Sequence, residues 1–472
     1  DTRAVRVVTA TDNSIYYREP LCVLEPRSSG DVVAAVTVAS EAGMSITARG
    51  GGTGTNGQSL SLGAVMDTSR FMNRILSYDA STGIVRVEPG VVLDQLNAYL
   101  KPHKVFFPPA VSTSSRATLG GMVATDASGK GSRRYGRTSD YLYAANVVLA
   151  DGSMATVSDL PADAPLPEGR YGDAIRLLRA ELPDLSDAIA RTFPVMNRGL
   201  SGYNLDELRG ADGTLHLTKL LAGSEGTLGI ITALELKVHP IPPYKGAAII
   251  GYPDSLSALG AVAELLPADP DAVEFLDDRT VELGKTLPIW SILEPVLGQE
   301  LEACGGYLFA EVTGDSEAQL ETQLHALQRA VAAASLQATG IIPVTDPAVI
   351  AAFDALRKDA VGLMGKGEGP LKGVAFVEDA AVPPENLVTF VKGFRDILDS
   401  HDLHYGMYGH ADVGCVHVRP LMDMRRAEHR AKIRTISDAV ANLAQAQGGL
   451  IWGEHGKGVR GEYVAQYFGP QL

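Results

Sequence analysis

The rhythm of apolar and polar positions changes near the middle of the chain. "SSGDVVAAVTVASEAG" carries capping and stop signals that predict a helix from about Asp31 to Gly43, and "MSITA" follows as a short strand. From there to about residue 155, short apolar runs alternate with glycine turns, as in "GAVMDTS", "GIVRVEPG" and "NVVLADGS". That pattern predicts a β-rich segment with few helices. "LPADAPLPEG" (160–169) predicts a proline-rich surface loop. "GIITALELKVHPIPPY" reads as a strand ending in prolines, so 238–245 marks the first domain boundary.

Beyond that boundary, strand-like "AAIIGYP", "AVEFLDD", "GYLFAEVT", "GVAFVED" and "LHYGMYGH" alternate with helical stretches such as "SEAQLETQLHALQRAVAAAS" and "PENLVTFVKGFRDILDSH". Long amphipathic helices between short strands predict an α+β, ferredoxin-like layer. No internal repeat is visible.

Composition narrows the partners. A chain of 472 residues predicts two or three domains. Lys and Arg number 41 against 56 Asp and Glu, a net charge of −15, which disfavours nucleic acid as a partner. Cys22, Cys304 and Cys415 form no CxxC pair, so no thiolate zinc site or iron–sulfur cluster is encoded here, and a reducing cytoplasm is expected. There is no apolar run long enough for a transmembrane helix and no visible secretory signal. The chain opens on Asp1 rather than Met, as a processed or partial chain would.

The glycines carry the first candidate chemistry. "RGGGTGTNG" contains a formal GxGxxG match, but "QSLSLGAVMD" after it is not a helix, so the dinucleotide-fold reading fails on context. A turn lined by successive N–H groups remains suited to an anion. "PPAVSTSSRATLGGMVATDASGKG" and "GSEGTLGIIT" are two further loops of small and hydroxyl residues. Three such loops in one half of the chain point to one extended, phosphate-bearing ligand.

"GHADVGCVHVRP" carries the second. His410 and His417, seven apart, fall on opposite faces of an unbroken strand unless Gly414 supplies a bulge or turn. They are metal ligands, a base with its helper, or polar residues at an edge, and spacing by itself favours the last. "IWGEHGKG" adds Glu454 and His455.

In their order, the three glycine loops resemble the vanillyl-alcohol-oxidase/p-cresol-methylhydroxylase (PCMH) superfamily of FAD-binding domains. "GHADVGCVHVRP" and "WGEHGKG" resemble its D-2-hydroxy-acid dehydrogenase branch, which includes FAD-linked D-lactate and D-2-hydroxyglutarate dehydrogenases. The likeness runs over roughly residues 15 to 465. It implies an α+β protein with a two-subdomain PCMH-type FAD domain over 1–240, a cap or substrate domain over 241–447, and a segment 448–472 returning to the flavin.

By position, Arg49, Gly50, Gly51, Gly52, Thr53, Gly54, Thr55, Asn56 and Gly57 would wrap the pyrophosphate. Pro109, Ser112, Ser114, Gly120, Gly121, Ala124, Asp126, Ser128, Gly129, Glu225, Gly226 and Ile231 would line the flavin. Asp126 stands where the family often has Asn. The glycine loops hold no counterpart of the family's flavin-linking histidine or cysteine, which implies non-covalent FAD.

The resemblance also implies a divalent metal, Zn²⁺ or Mn²⁺, held by His410, His417 and Glu454, with His455 as general base. Arg357 and Lys372 match substrate-carboxylate positions. Arg419, where the family commonly has Asn, adds a third cation and favours a dianionic substrate, D-2-hydroxyglutarate, over lactate or glycolate. The family's closing motif is missing after Leu472, which implies a cut chain or a further domain. Bacterial fusions carry an iron–sulfur domain there. The partners expected are a small 2-hydroxy acid, that domain or another electron acceptor reached at the membrane periphery, and a second copy in a homodimer.

Overall fold

The computed structural model describes residues 2–199, 202–366, 369–470 and 472. In the first half, three parallel strands, Cys22–Leu24, Ala64–Asp67 and Ile46–Arg49, lie in that order. A separate antiparallel sheet follows the order Ile75–Asp79, Ile84–Val87, Ile230–Lys237, Leu142–Val148, Met154–Ser158. The expected first helix spans Ser29–Glu41, two residues early because the Ser28 side chain caps it by accepting from the Asp31 N–H. The 160–169 loop is as expected, but the two longest other helices of this half were not foreseen. Leu93–Leu100 buries Leu93, Leu96 and Leu100 on one face, and Gly169–Thr192 continues through Pro183.

The second half is built on an eight-stranded sheet. Its strands Tyr244–Tyr252, Ala272–Asp277, Gly306–Gly314 and Gly340–Val344 lie in the spatial order fourth, first, third, second, with every neighbouring pair antiparallel. That is the ferredoxin-like βαββαβ arrangement. Along it, successive residues alternate between two cores. Ala248 and Ile250 pack with the helices Ser255–Leu265 and Glu317–Ala333, whereas Ala247 and Ile249 pack with Trp290–Glu302 and Pro347–Lys366.

The hairpin Tyr405–His410 and Cys415–Met422 extends this sheet from the 272–277 strand. The expected strand in "GVAFVED" is reduced to the two-residue pieces Lys372–Gly373 and Ala380–Ala381, both paired with Cys415–Met422. The chain leaves the sheet between them, which brings Glu378 and Asp379 to the site. Among the described residues, no helix is long and apolar enough to cross a membrane.

Candidate active site

A hairpin decides how the two histidines are placed. Ala411–Val413 forms a tight turn closed by Gly414 at φ 67°, where an added Cβ would lie 1.7 Å from the Val382 carbonyl oxygen. The stretch therefore folds back on itself. Tyr408 pairs with His417 and Gly406 with Arg419, so Tyr408, His410, His417 and Arg419 share one face instead of alternating. The ring centroids of His410 and His417 are 5.4 Å apart.

Glu454 is the hub. Its Oε1 lies 3.1 Å from Nε2 of both His417 and His455, and its Oε2 lies 3.4 Å from His410 Nε2. Oε2 also accepts from the fully buried Arg198 guanidinium. Burial would raise this carboxyl, but Arg198 and His410 outweigh burial and hold it well below the usual carboxylate range. Nδ1 of His410 bonds Glu274 Oε1 at 2.7 Å, and Glu274 Oε2 is 3.0 Å from Arg357. Burial opposes the charge on Glu274 too, yet Arg357 and His410 pull its carboxyl down to about 2.

His455 faces more carboxylates, with Nδ1 3.4 Å from Glu378 and 3.8 Å from Asp379. Desolvation lowers its proton affinity, but Asp379 and Glu378 raise it well above the ordinary imidazole range. Asp379 has the left-handed φ of 78° and accepts the backbone N–H groups of Glu454 and His455 at 2.9 Å, shaping their turn. The first half of the chain grips the same turn. Asn56 Nδ2 donates to the Gly456 carbonyl, Gln58 Nε2 to the His455 carbonyl, and Glu225 accepts from the N–H of Lys457 and Gly458.

His410, His417, Glu454 and His455 line a cavity of about 420 Å³ together with the three glycine loops. Twenty-four of the residues named from sequence line it, in the stretches 49–55, 109–129 and 225–231 and at Arg357, His410, His417, Arg419, Glu454 and His455. Asn56, Gly57, Asp126 and Lys372 do not. Asp126 is fully buried beneath the loop, accepting from Ser139 and Asn204 with Arg137 at 3.6 Å, so it braces the loop instead of facing the cavity. Lys372 is exposed at the sheet edge. Arg357 and Arg419 reach the cavity already paired, with Glu274 and with Glu378 at 3.3 Å.

The walls suit a phosphate-bearing flavin. A Cβ at Gly51 would sit 2.1 Å from the Arg116 carbonyl oxygen, and at Gly50 2.1 Å from Thr118 Oγ1, so only glycine brings the backbone this close. Three buried hydroxyls on the lining, of Thr55, Thr118 and Ser128, have no hydrogen-bond partner among the described residues.

For a metal, the donor set is also suitable. Asp379, His417, Glu454 and His455 each offer one ligand atom, all within 4.8 Å of one another. His410 is outside that group, but Glu274 on its Nδ1 leaves Nε2 aimed at Glu454, the usual carboxylate–histidine support of a metal ligand. Asp379 is the weaker donor because its oxygens are taken by backbone N–H groups.

Sequence reading missed Arg198, Glu274, Glu378 and Asp379. Glu274 in "AVEFLDD" and the acidic pair in "VAFVEDAAV" had a signal, charge within an apolar run. Nothing in "NRGLSGY" singled out Arg198.

A cavity that joins glycine-rich, hydroxyl-lined walls to a histidine–carboxylate cluster defines a redox protein with an extended bound cofactor. Residues 20–158 match the FAD binding domain and residues 241–472 the FAD linked oxidases, C-terminal domain. The chain belongs to the FAD-linked oxidase family, and FAD is the cofactor of its fold. It is 41% identical to a D-2-hydroxyglutarate dehydrogenase of Pseudomonas putida, over 99% of this chain and 47% of that protein. It is 30% identical to a D-lactate dehydrogenase of Anaerostipes hadrus, over 98% of this chain and 87% of that protein. The chain thus spans about half the length of the D-2-hydroxyglutarate dehydrogenases it matches. Its fold is that of p-cresol methylhydroxylase with substrate bound, at a TM-score of 0.68 and 15% identity, covering 100% of this chain and 88% of the other.

Proposed function

We propose that this chain is the catalytic flavin module of a D-2-hydroxy-acid dehydrogenase, acting on D-2-hydroxyglutarate and oxidising it to the 2-oxo acid. The observation that carries the reading is that one cavity is lined both by the glycine loops and by His410, His417, Glu454 and His455. The curated relatives support it, as does the division at about residue 240 into flavin and cap domains.

FAD, held without a covalent bond, supplies the acceptor for the electron pair and the C2 hydrogen. His410, His417 and Glu454 would hold a Zn²⁺ or Mn²⁺ ion, which would supply Lewis acidity toward the substrate. His455 takes the hydroxyl proton. It must be neutral to do so, and a cation beside Glu454 would offset part of the negative charge that keeps the ring protonated. Arg357 and Arg419, which line the cavity, orient the substrate carboxylates, whereas Lys372 lies outside the cavity at the sheet edge and is given no part. Both arginines are already paired, so the substrate carboxylates share them with Glu274 and Glu378.

Electrons then leave for an acceptor, an iron–sulfur domain or a partner protein at the membrane periphery in the cytoplasm, from a module that assembles as a homodimer. The test is anaerobic bleaching of the bound flavin by D-2-hydroxyglutarate, D-lactate and glycolate. Fastest bleaching by D-2-hydroxyglutarate is expected. Equal or faster bleaching by D-lactate or glycolate would reassign the substrate, and no bleaching by any of the three would remove the reading.

A further inference from the structure

Arg198 lies far in sequence from every residue it touches. Its side chain is completely buried, in the segment between the helices Gly169–Thr192 and Leu217–Leu221. A guanidinium without solvent is costly unless its donors are answered, and here all three nitrogens donate. Nη1 donates to Glu454 Oε2. Nη2 donates to the Gly129 carbonyl at 2.6 Å and to Ser132 Oγ at 2.7 Å, and Nε reaches the same hydroxyl at 3.2 Å. Gly129 lines the cavity; Arg198 itself does not.

The position of Glu454 depends on this contact. Its Oε1 is equidistant from two imidazole nitrogens, at 3.1 Å each, and the groups on Oε2 decide how the carboxylate is turned between them. His410 Nε2 is there at 3.4 Å, too long for a firm hydrogen bond, so the guanidinium supplies the restraint. By bonding Gly129 and Ser132 as well, it fixes the carboxylate relative to the wall of the flavin cavity.

We propose that Arg198 is a positioning residue: it orients Glu454 among the three imidazoles and couples that orientation to the flavin-side turn at 129–132. The inference rests on the proposed role of Glu454 as a metal ligand. It assigns Arg198 no contact with substrate or flavin. Outer-shell partners of metal ligands are worth about 10–100-fold in metal affinity or activity, which sets the size of the effect.

The test compares the wild type with Arg198→Met, Arg198→Lys and Ser132→Ala. FAD content, Zn²⁺ or Mn²⁺ per chain during graded chelator dialysis, and the single-turnover rate of flavin reduction are measured for each. Arg198→Met should keep its FAD, release metal at about 10–100-fold less chelator and reduce its flavin slower by a similar factor. Arg198→Lys keeps a cation for Glu454 but cannot also span Gly129 and Ser132, so it should recover only part of the metal retention. Ser132→Ala removes one anchor and should show the same loss in smaller measure, which keeps the test available if Arg198→Met does not fold.

Unaltered metal retention in Arg198→Met overturns the assignment. So does equal damage in the Met and Lys variants with parallel loss of FAD, which would make Arg198 merely structural. Wild-type retention at Ser132→Ala together with an unfolded Arg198→Met overturns it also. A wild type that binds neither metal overturns the metal reading itself along with the assignment, a result distinct from metal-binding wild type beside unaffected variants.

Discussion

Replacing Arg357 by Met should destabilise the second half of the protein through Glu274, whatever Arg357 does for substrate. Glu274 is 1% exposed, and its two oxygens are engaged by Arg357 and His410. Its carboxyl stands at about 2 against an ordinary 4.5. That difference of about 2.5 units corresponds to about 3 kcal/mol at neutral pH. Removing one partner of a buried pair typically costs about 3–5 kcal/mol, so the two estimates agree.

The sign with pH follows from the depressed pKa. The contribution is complete above about pH 4.5 and is lost as pH falls toward about 2. Urea unfolding of wild type and Arg357→Met should therefore show a gap of about 3–5 kcal/mol at pH 7 that narrows between pH 5 and pH 3. The double variant Arg357→Met with Glu274→Gln removes the stranded charge while leaving an acceptor for His410 Nδ1. It should recover most of the loss. A gap that is constant from pH 7 to pH 3, or a double variant no better than the single one, would refute the reasoning.

Acid or heat should release FAD from the purified yellow protein, and flavin remaining on the denatured polypeptide by absorbance would contradict non-covalent binding. His417→Ala should retain FAD and lose flavin reduction, with exhaustive chelation reproducing the loss in the wild type and added Zn²⁺ or Mn²⁺ reversing it there only; full-rate reduction in metal-free protein would exclude the metal. His455→Ala should retain metal by elemental analysis and yet lose flavin reduction, with a residual rate that rises with pH as hydroxide replaces the base; a metal-depleted variant would place His455 among the ligands instead.

Local chemistry determined much of this protein. Gly50 to Gly57 and the loops at 109–129 and 223–231 read as one ligand's cradle because concentrated glycines and small hydroxyls answer a backbone-level need, expressed within a few residues. The strands of the second half were legible because their β-rich runs are bounded by clear breaks and alternate with long amphipathic helices. Tertiary structure decided the rest. Only the hairpin at Gly414 puts His410 and His417 on one face, since strand periodicity applied to an unbroken stretch gives the opposite answer. Only the register between Ala272–Asp277 and Tyr405–His410 sets Glu274 beside His410, across 136 residues. Arg198 and Asp379 gain their roles from partners 256 and 75 residues away, in a segment that returns to the cavity last. Such pairings depend on which surfaces meet, and hydrophobic periodicity constrains the face of an element without naming the polar group that waits opposite.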